Sequence, residues 1–344
     1  MAIFSLSGCS TFHYLYQAAK GQLRILNRAR PIEEVIADPT TNPDLADLLK
    51  KIPEIKKYGE DSGLKPTKNY REYVKLDQDA VVYVVTVSEP LEFKPTYFKF
   101  PIVGSFNYIG WFNRDDAKEF GKQYSEKGLD VDLRGASAYS TLGWFNDPLL
   151  STMIPTEEAG KVSPLAYPDL VNVVIHESVH ATLYINNQSY FNESLAYFLA
   201  DILTERYFRD HHLLETPVWK SYLESKSHYD KVQRRMADAY SDLKKIYDSE
   251  LPGEEKVSKK KAYLDTLQTE TRFRRPINNA TLIQYKTYDP GDHGFMELFQ
   301  KTHEDVRSFL QILSRLKGTD FKRPHEEDLK EVIGQLSKSE KQTP

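Results

Sequence analysis

His176, Glu177 and His180 form an H-E-x-x-H motif inside the stretch VNVVIHESVHATLYINNQSYFNESLAYFLA. On an α-helix, residues four apart sit above one another on one face, so the two histidines can ligate a single metal ion. Two imidazoles suit zinc, and a glutamate between them suits a general base acting on water at that zinc. Glu193 lies further along, beyond the turn-type cluster Asn186-Asn187-Gln188-Ser189. Ser189 can cap a second helix running from about Phe191. If the two helices fold back at that turn, a rise of ~1.5 Å per residue brings Glu193 and His180 to levels about 3 Å apart. Glu193 is therefore the expected third ligand, completing a His-His-Glu set for one zinc per chain, with one position open as a catalytic site requires.

The helix that must carry the histidines is credible. Pro168 fits a first helical turn, and Asp169 puts negative charge next to the positive end of the helix dipole. Leu170, Val171, Val173, Val174 and Ile175 make the segment apolar nearly all round, which predicts a buried helix. Histidines and a glutamate in such a place are costly unless something pairs with them, and a metal does that. The competing reading makes His176 and His180 core histidines bonded to backbone, with Glu177 on a solvated face. The apolar surroundings of all three argue against it.

HESVH followed by FNESLA resembles the gluzincin metallopeptidases, whose third ligand is a glutamate in an N-E-x-x-A context; here that glutamate is Glu193. The spacing between His180 and Glu193 is shorter than in thermolysin-like enzymes. More narrowly, LSGC near the start, YSTLGWFNDPLLSTM before the motif and NNATLIQYKTY near the end resemble a bacterial lipoprotein family of predicted aminopeptidases. This likeness runs from Cys9 to about Phe299. It implies an α+β, predominantly helical fold with a thermolysin-like zincin core. The H-E-x-x-H and glutamate helices would form that core, with a small β region before it and a projecting helical hairpin after it. The activity it implies is that of a zinc metallopeptidase, an aminopeptidase releasing N-terminal residues. Gluzincins commonly supply a Tyr or His from beyond the second helix to stabilise the oxyanion. Tyr288 is the first candidate for that role, with Tyr285 and His293 next.

A net charge of −4 over 344 residues gives no reason to expect nucleic acid, and no apolar run reaches the ~20 residues that span a bilayer. Cys9 is the single cysteine, so no disulfide forms within the chain. Leu6-Ser7-Gly8-Cys9 resembles the lipobox at which bacterial lipoproteins are cleaved and lipidated. The resemblance implies a protein at the bacterial cell envelope, facing the periplasm and anchored only through lipid on Cys9. Ser10 after the cysteine is similar to lipoproteins of the outer membrane. The alternative is a chance L-S-G-C.

The remaining elements are read from periodicity. A first helix lies within residues 11–36, where Phe12, Leu15, Tyr16, Ala19, Leu23 and Leu26 form an apolar stripe expected to dock on the body of the protein. A short helix follows around Leu45–Tyr58. Ala80–Val87 is a buried strand, the aromatic segments to Phe112 suit short strands or loops, and residues 115–127 suit a surface helix. Ala138–Phe145 reads as a strand. Tyr139, Ser140, Thr141 and Gly143 would line the cleft there by pairing with substrate backbone, or else form a core strand. His211-His212 reads as a solvated break. Pro217–Ser249 and Glu254–Thr271 form the hairpin. Asn278 and Asn279 cap a helix over Thr281–Tyr288 and join Tyr285 and His293 as candidate substrate contacts. Residues 302–318 are one more helix.

The domain reading is residues 1–10 as a lipobox remnant, 11–330 as one metallopeptidase domain, and 331–344 as a charged tail within a surface end beginning at Lys322. Inside the domain, 11–160 is mixed α/β, 161–212 carries the zinc-binding helices, 213–275 the hairpin, and 276–330 the C-terminal helices. The expected reaction is hydrolysis of a peptide substrate, with Glu177 moving the proton. The rivals are an endopeptidase with an open groove and a non-catalytic zinc-binding envelope scaffold.

Overall fold

The computed structural model describes residues 8–100, 104–139, 141, 146–157, 161–287 and 294–339. The fold is α+β and predominantly helical, with small sheets. It divides into two compact units: Met1–Gly21, Val82–Ala136 and Lys226–Pro290 in the first, and Gln22–Val81, Ser137–Ser225 and Gly291–Pro344 in the second.

The first unit is built on the β-branched run Val82–Ser88, every residue of which is buried. It is the middle strand of an antiparallel sheet, flanked by Ile109–Trp111 and Asp130–Ala136, with Val85 opposite both Ile109 and Leu133. Burial of both faces needs a cover on each side. The helix Arg114–Ser125, capped by the Asn113 side chain, contributes Ala117, Phe120 and Tyr124 to one cover. The helix Asn279–Thr287 contributes another, with Gln284 donating to the Thr86 hydroxyl. The helices Pro217–Tyr247 and Gly253–Thr271 form the hairpin, but it does not project. Met236, Tyr240, Leu243, Leu264 and Leu267 share one core with Ile277, Leu282 and Ile283, and Phe93 stacks on Tyr240 at 3.8 Å. Its tyrosines and leucines at three- and four-residue spacing are a packing face.

The N-terminal helix, Gly8–Leu26, ends before Pro31, and Ile32–Ala37 is a separate helix. The face it docks differs from the expected one. Leu15, Tyr16 and Leu23 are 48%, 58% and 57% exposed, whereas Gln17, Gly21 and Ile25 are buried. Gln17 acts as a piece of backbone: its Oε1 accepts from Phe112 N (3.1 Å) and its Nε2 donates to Gly110 O (3.4 Å). Gly21 admits the Phe112 ring, whose Cγ would lie 2.1 Å from a Cβ there. Hydrophobic periodicity cannot register either contact.

In the second unit a small sheet pairs Arg30–Pro31 antiparallel with Glu72–Val74, which pairs parallel with Leu149–Leu150. The segment expected as one helix is two, Pro43–Leu49 and Ile52–Ser62, the second ending at Gly63 in the left-handed region (φ 116°). Two long helices, Ala166–Thr182 and Ser189–Asp210, pack against each other as the centre of this unit. Phe198, Phe295, Phe299 and Phe309 fix the shorter helices Phe295–Lys301 and Val306–Leu313 beside them. The end beyond Lys322 is not merely surface, because His325, Leu329, Val332 and Ile333 are buried. His211 is not left to solvent either; its Nε2 pairs with Glu54 at 2.7 Å. Among the described residues, no helix is long and apolar enough to cross a membrane.

Candidate metal centre

The histidine helix, Ala166–Thr182, buries Leu170, Val171, Val174, Ile175 and Val179 almost completely. This fixes its rotation, and with it the direction of His176 and His180. Their rings lie one turn apart, 4.8 Å between centroids and nearly perpendicular. The chain leaves the helix at Leu183 in extended conformation and turns back through Asn187 at φ 62°. The second helix starts at Ser189 after Gln188. Ser189 does not cap it; its hydroxyl instead meets His325 Nδ1 at 3.1 Å.

That reversal brings Glu193 onto both imidazoles. Its Oε2 lies 3.5 Å from His176 Nε2 and 3.6 Å from His180 Nε2. All three ligand atoms fall within 4.8 Å of one another. Such distances are long for hydrogen bonds. The two Glu193 distances are close to the roughly 3.3 Å that separates two ligand atoms held tetrahedrally at about 2.0–2.1 Å from zinc. The donor set and its spacing therefore fit a metal ion. Burial works to raise the Glu193 pKa, yet the neighbouring His180 and His176 imidazoles prevail and hold it well below the usual carboxylate range. His180 Nδ1 is buried and has no hydrogen-bond partner among the described residues.

Glu177, between the histidines, is also buried. Burial pushes its pKa up to about 7; Glu193 and Asp147 act in the same direction and His176 opposes them. A carboxyl poised there can exchange a proton near neutral pH. Asp147 is buried too, and burial raises its pKa against the effect of Thr141. Its carboxylate accepts from Thr141 N (3.0 Å) and Thr141 Oγ1 (2.6 Å), while its own N–H donates to Asn69 Oδ1 (3.0 Å). Tyr70 donates its backbone N–H to the Asp147 carbonyl (2.7 Å) and holds φ at 61°, a strained value for an aromatic residue. The Tyr70 phenol is pushed well above its ordinary pKa by burial, with Glu177 and Asp147 adding to it.

Asn192 is 1% exposed and grips the returning chain, accepting from Ile185 N and donating to Ile185 O, both at 2.9 Å. Tyr184 stands beside this clamp, its ring centroid 6.3 Å from that of His180. Burial, then Glu193, raises the Tyr184 phenol pKa, against its bond to Asn192. A second clamp comes from the C-terminal segment. His325 N donates to Asn187 O (2.7 Å), Gln188 Nε2 to Arg323 O (3.1 Å) and Glu326 N to Gln188 Oε1 (3.1 Å).

Of the remaining candidate residues, Tyr139 and Thr141 belong to the same unit as the ligand set. The expected strand is absent where it is described, at Ala138, Tyr139 and Thr141. Tyr139 donates to Gln22, and Thr141 is taken up by Asp147, local bonds that compete with a strand ladder. Asn278, Asn279 and Tyr285 belong to the other unit. Asn278 caps its helix through Thr281 N (3.1 Å) and donates to Val131 O (2.9 Å); Asn279 accepts from Tyr247 and donates to Glu89 O. Tyr285 packs edge-on against Phe273, and burial raises its phenol to about 12. Ser140, Gly143, Tyr288 and His293 lie outside the described residues, as does the side chain of Cys9, which sits in the first turn of the N-terminal helix.

Sequence reasoning missed Tyr70, Asp147, Tyr184 and Asn192. Asn146-Asp147-Pro148 reads as a turn, and only the position of Asn192 beside Glu193 carried a signal. Neither a curated protein nor a solved structure matches the chain. A family model described as "Putative aminopeptidase" matches residues 13–327. The chain therefore belongs to that family, a membership that supports peptidase, and hence hydrolase, activity.

Proposed function

We propose that this protein is a zinc-dependent peptidase of the gluzincin type, with a thermolysin-like arrangement of its two central helices. His176, His180 and Glu193 would hold the ion. The observation that carries the reading is the convergence of both Nε2 atoms on one Glu193 oxygen. Zinc bound there supplies Lewis-acid polarisation of the scissile carbonyl and of the attacking water. Glu177 removes the water's proton and returns it to the leaving amine, a task that suits a carboxyl with a pKa of about 7. Tyr288 is the proposed oxyanion donor and Tyr184 its rival; kcat of Tyr288→Phe against Tyr184→Phe distinguishes them. Release of N-terminal residues is the specificity the family description supports. In this reading lipid on Cys9 holds the chain at the cell envelope.

The test is Glu177→Gln compared with wild type on a broad peptide library, each with its zinc content measured. Zinc should be unchanged and kcat should fall at least about 100-fold. Equal cleavage by the two proteins would overturn the assignment. Free-amine peptides cleaved in preference to N-blocked ones support the aminopeptidase reading, and the opposite preference supports an endopeptidase.

A further inference from the structure

The N-terminal helix buries a narrow side and leaves its apolar stripe outside. At about 100° per residue, Leu15, Ala19, Leu23 and Tyr16 fall within one arc of about 100°, with Lys20 and Arg24 along its edge. All six are exposed. Helical geometry alone sets this arrangement. Leucines beside an exposed tyrosine, bordered by basic side chains that can reach phosphates, are the composition of a helix lying in a membrane interface. Lys20 Nζ stands 6.0 Å from the Tyr16 ring centroid, and Arg24 lies 3.7 Å from Asp77 with both side chains largely exposed, so either cation can turn to a new partner. The same helix carries Cys9, the lipobox-like cysteine, in its first turn.

We infer that the outward stripe Leu15–Tyr16–Ala19–Leu23, with Lys20 and Arg24, rests on an anionic lipid surface. It acts as a membrane contact of its own, separate from any lipid on Cys9 and from the proposed peptidase site.

The test uses the unlipidated full chain in flotation with vesicles of phosphatidylethanolamine and phosphatidylglycerol, against phosphatidylcholine vesicles. Wild type should float with the anionic vesicles, and added salt should weaken its binding. Leu15→Asp with Leu23→Asp should lower binding by at least about tenfold, with circular dichroism to verify that the variant folds. Lys20→Glu with Arg24→Glu leaves the apolar stripe untouched and should reduce binding to the anionic vesicles alone. The proposal fails if wild type stays unbound, or if the double aspartate variant floats equally well. It also fails if the stripe instead drives a concentration-dependent dimer without flotation.

Discussion

Asn192 and Ile185 are joined by two 2.9 Å hydrogen bonds, one in each direction, across the reversal that sets Glu193 opposite the histidines. The amide of Asn192 thus supplies the chain with a pairing it would otherwise draw from a neighbouring strand. Since it directly precedes Glu193, it ties the register of the second helix to the end of the first.

Asn192→Ala removes both bonds and leaves the Ile185 N–H buried without its acceptor, while the Ile185 carbonyl keeps the N–H of Gln188 at 3.2 Å. The expected loss is about 2–4 kcal/mol by denaturant unfolding. Zinc titration of the folded variant should show weaker binding than wild type. Asn192→Asp keeps the acceptor for Ile185 N but turns a carboxylate oxygen toward the Ile185 carbonyl, so it should be no more stable than Asn192→Ala.

His325 gives the fold a pH dependence. Burial lowers its pKa from 6.5 to about 4, so between these values the unfolded chain binds a proton that the folded chain does not. Its contribution is fully present above pH 6.5 and is lost as the pH falls toward 4, by up to about 3 kcal/mol. Unfolding free energies measured across that window should slope less in His325→Asn, since asparagine tolerates the left-handed φ of 53° found there.

Gly21→Ala sets two effects against each other. Alanine favours a helix by about 1 kcal/mol, but its Cβ would meet the base of the Phe112 ring at 2.1 Å. Overpacking of this kind costs typically about 1–3 kcal/mol, so the net effect should be destabilising. In a Phe112→Ala background, which removes Cγ, Cδ1 and Cδ2, the same substitution should cost less, and a pair of thermal melts decides it.

The sequence reveals most where one residue's surroundings are its own helix. The histidine helix, its burial and the return of Glu193 all follow from spacing and apolar pattern. Contacts made by polar side chains from distant segments leave no such trace. The N-terminal helix docks through Gln17 and Gly21, which apolar periodicity passes over, so the stripe that periodicity selects is the exposed one. Thr141 and Asp147 satisfy each other locally and remove a strand that β-propensity favours. Leu329 stands isolated among charges, yet with Val332 and Ile333 it is buried beside the segment that clamps Asn187 and Gln188.

Zinc content after equilibration with the metal and gel filtration tests the central claim most directly, measured for wild type, His180→Ala and Glu193→Ala, with circular dichroism to verify folding. The account predicts about one zinc per wild-type chain and little in either variant. Wild type that retains no zinc, or folded variants that hold as much as wild type, would contradict it.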